Sequence, residues 1–197
     1  MTACAPVGIL QDARLVPKGR ERVGIAGALF LPLSEGTYFN PDGMVKLPDP
    51  DQDLQYIPLA HLIGWARFGF KYVELQTAFS VPAFIITVGG KVGIVGARRG
   101  SPFALSLSAE LNLSMMTADA GAGATLLTSV MLVDHVSLDL SVRVGNYPAL
   151  WSGLSVTPTL GVSWGSSTRY HLAAGGVVPT GIGEVSPGLW LGAGASF

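Results

Sequence analysis

The chain has 197 residues, one domain's worth, with 49% hydrophobic and only 13% charged residues, a formal net charge of −1 and a mean hydropathy of +0.46. That balance excludes a nucleic-acid partner, since no basic cluster is present, and no run approaches the ~20 apolar residues that a membrane-spanning helix needs. One cysteine, Cys4, excludes a disulfide framework and a cysteine-based metal site, and no cofactor is expected.

Residues 1–19 read as a leader. Met1-Thr2-Ala3-Cys4 resembles the end of a bacterial lipoprotein signal, where a small residue precedes the Cys that becomes the lipidated N-terminus. The charged and apolar regions expected upstream of such a site are missing, and the alternative is a lone Cys in a leader. Residues 5–19 include Pro6 and Pro17, show no sustained periodicity, and are expected to act as a tether against the mouth of the following domain, 20–197.

From residue 20 the side chains alternate. Strand one, 20–31, sets Val23, Ile25, Leu29 and Leu31 against Arg22, Gly24, Ala26 and Ala28. A long loop, 33–54, follows with Pro41, Pro48 and Pro50. Its Asp49, Asp51 and Asp53 have the spacing that begins a calcium loop, but the Gly and distal Glu of that pattern are absent, so a solvated acidic loop is expected. Strands two (55–68) and three (72–81) form a hairpin turning at Gly69-Phe70-Lys71, which sets Arg67 opposite Glu74. Strand four, 85–97, alternates Ile86, Val88, Val92 and Ile94 with Thr87, Gly89, Lys91 and Gly93. Counting back from Gly100-Ser101 brings Lys91 opposite Glu110, and opposite charges across strands support a register.

Strand five is the clearest: Phe103, Leu105, Leu107, Ala109, Leu111 and Leu113 on one face, Ser106, Ser108, Glu110 and Asn112 on the other. A loop at 115–123 leads to strand six, 124–133, which looks apolar on both faces, with Leu126 and Val130 on one and Leu127 and Met131 on the other. Strand seven, from Val136 to Val144, opposes Val136, Leu138, Leu140, Val142 and Val144 to Ser137, Asp139, Ser141 and Arg143. After a loop at 146–153 come strands eight (154–164), nine (169–178) and ten (188–197).

Ten strands of this length match the 9–11 residues of a tilted membrane-crossing strand. A soluble barrel would carry its charges outside and would need far more of them. Here the charged face is the quiet one: after Gly100 every charge falls either on that face (Glu110, Asp139, Arg143, Arg169) or in a loop or turn (Asp119, Asp134, Glu184). The expected fold is therefore all-β, a transmembrane antiparallel up-and-down β-barrel of ten strands, or eight if strand four or six does not pair. Its oily face would meet lipid and its polar face a lumen.

The last strand, with Phe197 preceded at alternate positions by Ala195, Ala193, Leu191 and Leu189, resembles the terminal signal of small Gram-negative outer-membrane barrels. The resemblance covers 20–197 and is architectural. It implies a bacterial outer-membrane location with both termini periplasmic, outer-membrane lipids as surroundings, and barrel-assembly machinery engaging Phe197. It also implies interfacial aromatic girdles, here Tyr56, Tyr72, Tyr147, Trp151, Trp164 and Tyr170. Trp65 and Trp190 fall on the inward face, which a girdle does not explain.

The inward charges Arg22, Arg67, Glu74, Lys91, Glu110, Asp139, Arg143 and Arg169 are expected to pair as a network filling the lumen. Three functions follow from this interior. The leading one is a structural or interaction barrel, a partner to another envelope protein. The second is a narrow passive channel for small solutes, suggested by the many inward Gly, Ala and Ser, with the excess of cations favouring anions. The third is a lipid-acting hydrolase, which would need His61 or His171 beside a Ser at the outer rim; no local motif sets up that geometry, so no catalytic residue is assigned.

Overall fold

The alternation is realised as a closed antiparallel barrel. The computed structural model describes residues 11–32, 59–81, 84–96, 101–147, 151–180 and 187–197. These form ten strands: β1 (Glu21–Pro32), β2 (Leu59–Gly69), β3 (Val73–Val81), β4 (Ile85–Val95), β5 (Phe103–Ser114), β6 (Ala120–Val133), β7 (Val136–Tyr147), β8 (Trp151–Trp164), β9 (Arg169–Pro179) and β10 (Gly188–Ser196). Each strand pairs with its sequence neighbours, and β1 closes the ring on β10. The backbones of Val23 and Phe197 exchange hydrogen bonds at the seam. Closure leaves no sheet edge unpaired, the condition for backbone in a membrane. Gly19 and Phe197 lie at one end, called here the terminal end, with the turns at 70–72, 96–102, 134–135 and 165–168. The acidic stretch 33–54 and Cys4 lie outside the described residues.

The faces are those expected and the polarity is inverted relative to a water-soluble barrel. Leu107, Leu111, Leu113, Leu140, Val142 and Leu191 stand on the exposed outer surface, Leu111 being 67% exposed. The positions between them, Ser106, Ser108, Glu110, Asn112, Asp139, Ser141 and Arg143, are buried in the lumen. Tyr72, Trp164 and Tyr170 stand outside near the terminal end, and the Trp164 and Tyr170 rings stack at 5.8 Å. The ambiguous strand six resolves with Leu126 and Val130 outward and Leu127 inward; it begins at Ala120, earlier than the loop expected to Gly123. β8 likewise begins at Trp151 rather than Leu154.

Two expected cross-strand pairs are corrected, each by two residues. Gly69, not Arg67, faces Glu74, because β2 continues through Gly69 and the turn closes by the Phe70 N–H donating to Val73 O at 2.7 Å. Gly89, not Lys91, faces Glu110, because β4 ends at Val95 rather than Ala97 and a bulge lies between Gly93 and Val95. A slip of two preserves the face and changes only the partner.

The lumen is solid on one side. Phe30, Ile63, Val177 and Trp190 pack with Ala26, Ala28, Ala78 and Ala173, and Trp65 lies against them. Inward glycines receive these large side chains: a Cβ at Gly24 would strike the Trp65 ring, one at Gly188 the Phe30 ring, and one at Gly175 the Trp190 indole. Gly24, Gly175 and Gly188, among the small inward residues that suggested an open bore, are thus sockets for large ones.

Candidate functional site

Residues 11–17 lie inside the terminal half of the barrel, deeper than the mouth-side position expected of a tether. The chain leaves β1 backwards through a turn in which the Arg20 N–H donates to Pro17 O and Gly19 takes φ +70°. It then crosses the rim over Gly69, where any Cβ would run into the Val16 and Pro17 carbonyls. That close approach is why a side chain is missing at the inward-facing end of β2.

Inside, wall side chains take up the strap's backbone. The Val16 N–H donates to Glu74 Oε2 at 2.7 Å. Lys91 Nζ donates to the carbonyls of Arg14 at 3.0 Å and Asp12 at 3.2 Å. The Ala13 N–H donates to Ser129 Oγ at 2.8 Å, and its carbonyl accepts from the Ser106 hydroxyl. Arg14 Nη2 donates to Ser101 O at 3.0 Å near the rim. Ala13 packs against Ala104 and Leu127, which accounts for the inward Leu of strand six. A peptide held this way has the polar satisfaction of a strand without belonging to the sheet.

The eight inward charges named from the sequence all project to the lumen, in three groups. Glu74 accepts from Lys91 (3.0 Å) and lies 3.7 Å from Arg67, whose guanidinium also covers the Trp65 ring at 4.0 Å. Glu110 and Arg143 form a bond of 2.7 Å, with the guanidinium lying over Gly123. Asp139 accepts from the hydroxyls of Ser129 (2.5 Å), Ser137 (3.3 Å) and Ser163. Arg169 donates to Ser137 Oγ at 2.5 Å, and its Nε lies 3.1 Å from a carboxylate the sequence reading did not include, that of Asp12 in the strap. Arg22 is half-buried beside Arg67 across the β1–β2 ladder.

Asp12 is only 2% exposed. Burial by itself would raise its carboxyl, but Arg169, Lys91, His171 and Arg67 outweigh burial and hold it well below the usual carboxylate range. Two signals in the sequence point to such a guest: more inward cations than carboxylates, and apolar Ala104 and Leu127 among the polar inward residues of β5 and β6.

Gln11, the deepest described residue of the strap, separates two small cavities. One, of about 10 Å³, is lined by Asp139, Ser141, Thr159, Ser163 and His171; the other, of about 20 Å³, by Trp65, Arg67, Gln76, Thr87 and Glu110. Each holds room for about one water molecule. His171 Nε2 lies 3.4 Å from Ser196 Oγ at the terminal end, and the Ser163 hydroxyl is taken by Asp139 rather than by His171. His61 is buried nearer the other end. Among the described residues no three His, Cys, Asp or Glu side chains group as a metal site.

No protein-family model and no curated protein matches the chain. Among solved structures, the crystal structure of the COG4313 outer membrane channel from Pseudomonas putida F1 is similar to it with a TM-score of 0.51 and 10% identity, over 94% of this chain and 97% of that one. At that identity the likeness is one of fold.

Proposed function

We propose that this protein is an outer-membrane β-barrel that conducts small polar solutes and is held shut, in the state described, by residues 11–17 of its own chain. The observation that carries this reading is the kind of closure: the terminal half is filled by a peptide strap held through polar contacts, not by wall side chains locked into one another. The polar wall supports it. Ser80 Oγ, Asn112 Nδ2, Thr157 Oγ1 and Thr159 Oγ1 are buried without a protein partner among the described residues. Each would cost ~1–3 kcal/mol in a dry core, so such a lumen favours water. The apolar outer face supports a membrane setting, since in water it would be one continuous sticky surface.

In this reading the short turns mark the periplasmic end, both barrel termini are periplasmic, and the strap enters from the periplasm. Phe197 is the signal for barrel assembly and Cys4 the lipidation candidate. A second reading, a structural barrel that partners another envelope protein, is favoured by the interlocked Trp65, Phe30 and Trp190.

Conductance in a planar bilayer separates the two. Wild type should be mostly silent. Gly69→Val, which forces the strap off the rim, should show unitary steps. Silence from folded, inserted Gly69→Val whose residues 12–16 have lost hydrogen-exchange protection would refute the channel and leave the structural barrel.

A further inference from the structure

The strap brings one carboxylate into the lumen, and the wall around it is built from three strands. Arg169 and His171 come from β9, Lys91 from β4 and Arg67 from β2. Arg169 Nε lies 3.1 Å from Asp12 Oδ2, Lys91 binds the Asp12 carbonyl, and His171 lines the cavity beside Gln11. The other wall charges do not need Asp12: Glu110 and Arg143 satisfy each other, and three Ser hydroxyls donate to Asp139. Without Asp12, Arg169 keeps the Ser137 hydroxyl, and Glu74 is shared between Lys91 and Arg67. The wall is therefore short by one anion at this place, and the chain supplies it from outside the sheet.

We propose that Arg169, Lys91, Arg67 and His171 form a lumenal site for small carboxylate-bearing solutes, which Asp12 occupies at rest as a built-in competitor. This rests on the channel reading for its biological use but not for its existence. Asp12 stands in for the solute's carboxylate, one oxygen of which lies 3.1 Å from the Arg169 guanidinium. Two water-sized cavities flank Gln11 and adjoin the site, and Thr159 Oγ1 in one of them has no protein partner among the described residues. A solute with a second hydrogen-bonding group would fit that wall better than a purely apolar acid. Entry of the solute and withdrawal of the strap are then one exchange, carboxylate for carboxylate, so that the barrel opens for the anions it binds.

Chemical rescue in the full-length chain tests the site without any current. Asp12→Ala leaves a gap the size of a carboxylate group, the anionic end of acetate. Its melting temperature in detergent should fall below wild type, and sodium acetate should recover more than half of the loss, with acetamide and sodium chloride at equal concentration giving none. Adding Arg169→Gln should abolish the acetate effect. Should Asp12→Ala refold poorly, Asp12→Asn serves as the isosteric variant, and acetate should then bind it, read by calorimetry, at least tenfold more tightly than wild type. Equal responses to acetate and chloride, or rescue that survives Arg169→Gln, would overturn the site. Rescue in a barrel that never conducts would retain the site and refute the channel; conduction by Gly69→Val without rescue would do the reverse.

Discussion

Replacing one partner of the Glu110–Arg143 pair tests the interior most directly. The bond is 2.7 Å long and both side chains are essentially unexposed, at 2% and 0%. At an effective dielectric of 20, unit charges about 4 Å apart attract by ~4 kcal/mol. Removing one leaves the other buried without its counter-charge, which costs ~3–5 kcal/mol. Glu110→Gln keeps the side-chain shape and Arg143→Met the unbranched stem, and each should lower stability by ~3 kcal/mol. The double variant should cost much less than the sum, with a coupling of ~2 kcal/mol, because it leaves neither charge buried without its counter-charge. The assay is equilibrium unfolding in urea from lipid vesicles, followed by tryptophan fluorescence. Single losses below ~1 kcal/mol, or losses additive within ~0.5 kcal/mol, would refute a dry, mutually dependent pair and indicate charges each solvated by lumenal water.

Two further outcomes follow from the same geometry. Leu107→Arg puts a charge on the outer face near the middle of β5 and should cost ~2–4 kcal/mol in vesicles; unchanged refolding would contradict a lipid-facing position. The strap should stay docked through mild acid. The carboxyl of Asp12, faced by Arg169, Lys91, His171 and Arg67 with Asp139 nearby, is depressed on docking. Its contribution is thus complete above the free value of about 3.9 and is lost only as pH falls below it. Protection of the Ala13 N–H, corrected for intrinsic exchange, should be equal at pH 8 and pH 5. Release between those values would show that another group controls docking.

The period of two was legible in the chain, and with it the fold and the facing of nearly every side chain. Phe103 to Ser114 and Val136 to Val144 needed no tertiary information, because which side of a strand a residue takes depends only on parity. Parity also explains why the register errors at Glu74 and Glu110 left the inward set intact: a slip of two residues conserves the face. What the tertiary structure decided was partnership. Glu74 joins Lys91 and Glu110 joins Arg143 because turn lengths and the bulge at Gly93 set how far each strand slides, and those offsets are not encoded in any one strand. The place of the strap was decided at the longest range. Asp12 is 157 residues from Arg169, and Leu127 looked like an inconsistency until Ala13 lay against it. A strand's faces follow from local geometry, whereas the contents of a lumen depend on all ten strands closing around whatever the chain puts between them.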